Sequence, residues 1–252
     1  MHDEGEGVHF NSADATLFGL LYRPTTESGP FPAVLWNHGG GRDQQLLGEF
    51  ARTFTERGYV LFKPFRRGHP PSPGRFSGDV LNDALEAGGE AARSRALLAE
   101  LEQQLADELA ALEYLKALPC VDPSKIVVMG QSRGGMLAIL AAARAEGIRA
   151  AVSFAGAAMN WARAPDIRPL LLRAAANAKV PVLLIQAEND FDLAPSQALA
   201  AELERHGKPY RRIVLPPHGS TAGDGHRVVL APEKWASEVF PFLEGVMKYH
   251  PS

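Results

Sequence analysis

A serine between two glycines is the feature of this sequence that points most directly to chemistry. Ser132 lies in the segment Gly130–Gly134, which reads GQSRG and fits the pattern G-x-S-x-G. An apolar run, IVVM, precedes the segment, and a run rich in small residues, MLAILAAAR, follows it. In a strand–turn–helix of this kind, the turn strains the serine backbone and lifts the hydroxyl above the sheet edge. The pattern predicts a nucleophilic Ser132; the alternative is an ordinary strand-to-helix turn.

A serine nucleophile needs a base to take its proton, and the base needs an acid to orient it. On such a turn, the acid and then the histidine follow the serine along the chain. The segment VPVLLIQAENDFDLAPS offers Asp190 and Asp192 as the acid. We favour Asp190, because it leaves the strand earlier and its side chain can reach back over the sheet. Asp192 is nearer to the next helix, which it could cap instead.

Two histidines follow the last predicted strand, in the segment PPHGSTAGDGHRVV. We favour His226 as the base, because the preceding glycines on either side of Asp224 predict a flexible approach to the serine. His218 is the alternative, and the two prolines before it restrict its position. Either histidine could instead be a solvated loop residue. A metal site made by Asp224 and both histidines lacks a helix-spaced ligand pair, so we predict no metal.

Acyl transfer also needs hydrogen-bond donors for the oxyanion that develops in the transition state. One donor normally is the backbone N–H after the nucleophile, here that of Arg133, and the other comes from a glycine-rich turn after an early strand. The segment His38–Gly41 reads HGGG and follows the apolar run PAVLWN. We assign the second donor to Gly40. A phosphate-binding loop is excluded, because no Walker lysine or G-x-G-x-x-G spacing is present.

Apolar runs of strand length alternate with helical patterns along the chain, which favours a mostly parallel sheet. We predict an antiparallel hairpin that turns at Ser12–Asp14. Six further strands are predicted at PAVLWN, YVLFKPF, IVVMG, AAVSFAG, VPVLLIQA and YRRIVLPP. Helices are predicted over about 46–57, 196–206 and 233–248, where apolar residues recur at helical spacing.

Two further stretches interrupt this alternation. Residues 79–118 are rich in alanine and leucine, and Gly88-Gly89 predicts a division into two helices. We favour packing of the leucine-rich face of these helices on the chain's own core. The alternative is a seam with a second subunit, and we hypothesise a homodimer formed in this way. Residues 157–179 lie between two predicted strands. They could form a small cap over the site, which we favour, or a surface helix.

The composition limits the domain organisation and the partners. A chain of 252 residues with 46% hydrophobic content can bury one sizeable core, so we expect a single domain. The net charge of −3 and the lack of a basic block give no reason to expect a nucleic acid or an anionic membrane as partner.

Cys120 is the single cysteine, which excludes an intrachain disulfide. The N-terminal residues MHDEGE do not resemble a secretory signal, and no apolar run approaches the ~20 residues that span a bilayer. We therefore expect a cytoplasmic protein.

Five motifs, in this order, resemble the α/β-hydrolase superfamily, and more narrowly its branch that is similar to dienelactone hydrolases and prolyl oligopeptidases. They are NHGGG (37–41), FRRGHPPSPG (65–74), VDPSKIVVMGQSRGG (121–135), QAENDFDLAP (186–195) and GDGHRVV (223–229). In the family, the arginine-glycine turn borders the site; here it is Arg66-Arg67-Gly68. The chain departs from true dienelactone hydrolases, which use cysteine at the position of Ser132. It is also too short for the N-terminal propeller of prolyl-oligopeptidase-type peptidases.

The resemblance implies the α/β-hydrolase fold. This fold has a doubly wound, mostly parallel sheet with helices on both faces. We expect one such domain over residues 1–252, with the helical insert at about 79–118 and a small cap at about 157–179.

The resemblance also implies a serine hydrolase that needs no cofactor and cleaves a small-molecule carboxylic ester. Ser132, His226 and Asp190 would then form the catalytic triad. A peptidase or amidase with the same triad is one alternative. Another is a non-catalytic binding protein on the same fold, with the leucine-rich insert as its working surface.

Overall fold

The computed structural model describes residues 5–25, 29–42 and 48–248, which form one sheet of eight strands in the order β1-β2-β4-β3-β5-β6-β7-β8. The strands are β1 Glu6–Ser12, β2 Ala15–Tyr22, β3 Phe31–Asn37, β4 Val60–Pro64, β5 Val121–Gln131, β6 Ala150–Phe154, β7 Val182–Ala187 and β8 Tyr210–Leu215. β2 runs antiparallel to both β1 and β4, and the other five pairs are parallel. The predictions of an N-terminal hairpin and a mostly parallel sheet are confirmed.

Helices cover both faces of this sheet. They are α1 Gly48–Thr55, α2 Ser77–Lys116, α3 Arg133–Arg144, α4 Ile167–Ala176, α5 Ala194–Arg205, α6 Ala222–His226 and α7 Pro232–Lys248, with a 3-10 helix at Val228–Leu230. One apolar core lies between the sheet and α2 to α5, and a second lies between the sheet and α1 and α7. Strands β4, β6 and β7 are buried throughout, as expected of strands that helices cover on both faces. The start of the helix predicted at 46–57 lies outside the described residues.

The insert is α2, which has 40 residues and a break at Gly88-Gly89. Gly89 has a φ of 67°, which interrupts the helix where two helices were predicted. The leucines of the second arm enter the core of the chain itself, which is the packing that we favoured. The same face also buries Ser94, Gln104, Asp107 and Glu108. Neither α2 nor any other helix in the described part of the chain is long and apolar enough to cross a membrane.

The segment predicted as a cap divides into two parts. Residues 157–164 form consecutive turns, and three of them (Met159, Asn160 and Arg163) line the cavity above the sheet. The second part is α4, which packs between α3 and α5 in the helical layer. Only the turns therefore lie over the candidate site.

Candidate active site

Ser132 lies on the sharp turn between β5 and α3, in a backbone conformation that serine rarely adopts. Its φ is 56° and its ψ is −110°. A non-glycine residue with positive φ of this kind costs about 1–3 kcal/mol, and such strain is typical of functional sites. Two backbone hydrogen bonds hold the turn: the Ser132 N–H donates to the Phe154 carbonyl at 2.8 Å, and the Ser132 carbonyl accepts from the Met136 N–H at 3.1 Å. The strained turn presents Ser132 to the cavity.

The glycines around Ser132 are required by close approaches of the backbone. A Cβ atom on Gly130 would lie 2.3 Å from the Gly134 carbonyl oxygen. A Cβ atom on Gly134 would lie 2.0 Å from the carbonyl oxygen of Asn37, the last residue of β3. Both distances are too short for any side chain. Glycine at these two positions therefore avoids collisions with the start of α3 and the end of β3.

His226 connects Ser132 to Asp190. Its Nε2 lies 2.9 Å from Ser132 Oγ, and its Nδ1 lies 2.8 Å from Asp190 Oδ1. The Asp190 side chain is fully buried at the end of β7, where Oδ1 also accepts from the Phe191 N–H and Oδ2 accepts from Gln186 Nε2. Because both carboxylate oxygens are engaged, Asp190 can fix the orientation of the imidazole. The geometry allows His226 to take the proton of Ser132.

The prediction of a flexible loop before His226 is wrong. His226 ends the short helix α6, whose first turn carries a capping box. Thr221 Oγ1 accepts from the Asp224 N–H at 3.1 Å, and Asp224 Oδ2 accepts from the Thr221 N–H at 3.0 Å. A Cβ atom on Gly225 would lie 2.6 Å from Asn189 Oδ1. Glycine is therefore needed here for close packing against the loop that carries Asp190, and the histidine is held rigidly.

The two alternative triad members lie elsewhere in this region. Asp192 Oδ1 accepts from the Ala194 N–H at 2.8 Å, at the start of α5. The backbone of His218 is held by the Asn189 side chain, which accepts from its N–H and donates to its carbonyl. Neither residue lines the cavity. In the described ranges, no group of three or more His, Cys, Asp or Glu side chains could hold a metal ion.

The turn after β3 lies beside Ser132. Gly39, Gly40, Ser132 and Arg133 line the same cavity, so both predicted oxyanion segments meet there. A Cβ atom on Gly40 would lie 3.3 Å from Arg133 Nε, and one on Gly39 would lie 2.6 Å from Gln131 Oε1. Gln131 Nε2 also donates to the His226 carbonyl at 3.1 Å. Residues 38–40 form the turn predicted to supply an oxyanion donor, which we call the oxyanion turn. This turn is thus packed against the residues on either side of the serine.

The dienelactone hydrolase family profile matches residues 17–219. The chain belongs to the dienelactone hydrolase family. Within the curated proteins, the quorum-quenching protein AidA of Acinetobacter baumannii is 31% identical over 147 residues, which are 58% of this chain and 42% of AidA. An uncharacterized protein of Mycobacterium tuberculosis is 27% identical over 227 residues, which are 85% of this chain and 72% of that protein. The matched region therefore spans less than half the length of AidA.

Solved structures share the fold of this dienelactone hydrolase family member. The acylaminoacyl peptidase of Pyrococcus horikoshii has a TM-score of 0.70 at 19% identity, covering 99% of this chain and 42% of the peptidase. Est1E of Butyrivibrio proteoclasticus, solved with ferulic acid, has a TM-score of 0.68 at 20% identity, covering 93% of this chain and 98% of Est1E. Likeness at such identities establishes the α/β-hydrolase fold, which peptidases and esterases share.

The cavity of this family member has a volume of about 760 Å³ and a cationic lining. Its charged residues are Lys63, Arg93, Arg133, Arg163 and Arg227, and no Asp or Glu occurs among its described lining residues. Met159 and Leu230 form an apolar rim and are half-exposed. Burial, and then the charge of Arg66, lower the pKa of Lys63 to about 8. The lining therefore combines apolar side chains at the rim with cationic side chains.

Arg93 is a cavity-lining residue whose buried guanidinium is only partly paired. Its side chain is 13% exposed, and its Nη1 makes no hydrogen bond within the described chain, although Glu90 Oε2 lies 3.8 Å away. Glu90 instead pairs closely with Arg163, at 2.9 Å. Burial, and then the charge of Arg163, lower the pKa of Arg93. Arg93 and Arg163 lie outside the motifs described above, so the sequence does not predict their position in the cavity.

Proposed function

We propose that this chain is a serine hydrolase that cleaves small carboxylic esters. The observation that carries the proposal is the continuous series of contacts from Ser132 Oγ through both ring nitrogens of His226 to Asp190, with Ser132 on a strained turn. This arrangement is the one that activates a serine for nucleophilic attack.

The reaction would have two steps. Ser132 attacks the ester carbonyl while His226 takes its proton, and Asp190 stabilises the imidazolium. The N–H groups of Gly40 and Arg133 donate to the oxyanion, and His226 returns the proton to the leaving alcohol. Water, activated by His226, then attacks the acyl-enzyme and releases the acid. No step requires a cofactor.

The cavity lining, the strain at Ser132 and the packing of α2 favour this proposal over its alternatives. An aminopeptidase would need an anionic group to bind the substrate's free amine, and the described lining residues offer cations instead. A non-catalytic binding protein would have no use for the strain at Ser132, and the leucine face of α2 is already packed on the core. An ester with a free carboxylate fits the lining best. A cytoplasmic location and a homodimer stay predictions from the sequence.

Labelling with a fluorophosphonate tests the nucleophile directly. We expect stoichiometric reaction of the native protein, and peptide mapping should place the phosphonate on the peptide that contains Ser132. Heat-denatured protein is the control, because only a folded triad activates the hydroxyl. A folded protein that does not react, or that reacts at another residue, would contradict the proposal.

Replacing Arg93 by glutamine should change the charge selectivity of hydrolysis. The assay compares a half-ester of a short dicarboxylic acid with its analogue in which a neutral carboxamide replaces the free carboxylate. Loss of a charge-assisted hydrogen bond should raise KM about tenfold or more for the anionic ester and by less than about threefold for the amide analogue. The control is Arg144→Gln, because Arg144 lies outside the cavity and pairs with Glu102 on the surface. Equal effects of Arg93→Gln on both esters would refute the anionic preference.

A further inference from the structure

Arg66 contacts the oxyanion turn from behind. It follows β4 and is 1% exposed. Its Nη1 donates to the His38 carbonyl at 3.0 Å, and its Nη2 donates to the Gly39 carbonyl at 2.8 Å. Nη2 also lies 3.1 Å from Nδ1 of the His38 ring. One rigid, planar guanidinium therefore holds two consecutive carbonyl groups of the turn.

The position of the Gly39 carbonyl determines the direction of the proposed oxyanion donor, the Gly40 N–H. The Gly39 carbonyl and the Gly40 N–H belong to the same peptide group. In a planar trans peptide, the C=O and N–H bonds point in opposite directions. Because Arg66 binds the oxygen on one side, it directs the Gly40 N–H towards the other side. A hydrogen bond accepted by the carbonyl also polarises the peptide and makes its N–H a stronger donor.

We propose that Arg66 is a positioning residue for the oxyanion hole, which orients and polarises the Gly39–Gly40 peptide so that its N–H binds the oxyanion. The inference rests on the proposed serine hydrolase function and assigns to Arg66 a share of its transition-state stabilisation. Arg66 does not touch the substrate; it acts through the peptide.

The burial of Arg66 supports this role. Its side-chain hydrogen bonds in the described chain are with the oxyanion turn. No described carboxylate forms an ion pair with it, although the charges of Glu108 and Asp107 act to raise its pKa. An unpaired buried charge destabilises a fold, so its position needs another reason. Burial, and then the charge of Arg133, lower the pKa of Arg66 to about 9, which still leaves the guanidinium charged at pH 7. A buried charge that destabilises the fold, as Arg66 does behind the turn, is typical of a functional site.

Helix α2 contacts the same region through two buried acids, Asp107 and Glu108. Asn37 Nδ2, just before the turn, donates to Glu108 Oε1 at 3.0 Å. Burial raises the pKa of Glu108 to about 8, while the charge of Arg66 and the hydrogen bond from Asn37 act to lower it. Arg67, next to Arg66, pairs instead with Asp107 of α2, at 2.8 Å. Glu108 therefore holds the end of β3 just before the oxyanion turn, whereas the described side-chain partners of Arg67 are the acids Asp107 and Asp14 and not the turn.

The test compares Arg66→Met and Arg66→Lys with the native protein on a neutral activated ester. Arg66→Met should lower kcat about 10²-fold, the scale for losing an oxyanion donor, and change KM by less than about threefold. Its affinity for a trifluoromethyl ketone, which forms an oxyanion adduct with the serine, should fall by the same factor as kcat/KM. Its affinity for the matching methyl ketone should not change. Arg66→Lys keeps the charge but lacks the planar fork, so its loss should be smaller.

Arg67→Gln is the matched control: it breaks the ion pair with Asp107 and should lower the melting temperature while keeping kcat within about threefold. A folded Arg66→Met variant with native kcat, or with a change in KM alone, overturns the inference. If that variant does not fold, Arg66→Lys decides, and native kcat and trifluoromethyl ketone affinity in it refute the role. Failure of the proposed function is distinguishable, because the native protein would then show neither ester turnover nor fluorophosphonate labelling.

Discussion

A Ser132→Ala variant is expected to lose ester hydrolysis by several orders of magnitude in kcat and to keep its fold. Without the nucleophile, only the oxyanion donors and substrate binding still contribute to the rate. The substitution removes one side-chain contact, the 2.9 Å contact with His226 Nε2, and leaves both backbone hydrogen bonds of the turn in place. The melting temperature should therefore stay close to the native value while turnover disappears.

The measurement is the turnover of an activated ester, with fluorophosphonate labelling to exclude a contaminating esterase. Ser220→Ala is a matched control. Ser220 is exposed near the site, and its backbone N–H, which donates to Asp224 Oδ2, survives the substitution. The control should keep native kcat. If Ser132→Ala retains more than about a tenth of the native kcat, Ser132 is not the nucleophile.

The fold could be predicted because its signals are local. Apolar runs of strand length mark the buried strands, and the G-x-S-x-G segment marks the point where β5 turns into α3. Both glycines of this segment are required because a Cβ atom there would lie too close to backbone atoms. For Gly134 these atoms belong to the end of β3. A local pattern therefore carried information about two neighbouring strands.

The polar contacts of α2 could not be predicted, because their partners are distant in the sequence. The leucine spacing predicts a helix with one buried face, and that face is buried. The same face carries Glu108, which binds Asn37 71 residues away, and Asp107, which binds Arg67 40 residues away. Helical periodicity cannot separate such acids from solvated ones. The positions of Arg93 and Arg163 at the cavity could not be predicted for the same reason, because the other lining residues are distant in the sequence.

The short helix α6, which ends at His226, has a signal of its own in the sequence. Thr221 and Asp224 have the three-residue spacing of a capping box, and both of its hydrogen bonds are formed. The glycines on either side of Asp224 predict a flexible loop, whereas the structure has a helix there. The requirement for Gly225 is a tertiary contact with Asn189, which only the folded chain reveals.

His226→Ala should reduce kcat/KM about 10³-fold or more, the scale seen when a triad member is removed. The imidazole of His226 contacts both Ser132 and Asp190, so its loss removes the base and leaves a buried carboxylate without its partner. His218→Ala should cost less than about tenfold in kcat/KM, because the described contacts of His218 with Asn189 use its backbone.

The two variants form a matched pair, since both remove a histidine from the same connection between β8 and α7. Each is measured with one activated ester, together with its melting temperature. Adding imidazole to the assay separates chemistry from folding: it should restore part of the activity of His226→Ala by replacing the missing base, and it should not affect His218→Ala. A reversed ranking of the two variants would assign the base to His218 and leave Ser132 as the nucleophile. Such a result would require the connection to rearrange, because in this structure the ring that contacts both Ser132 and Asp190 is that of His226.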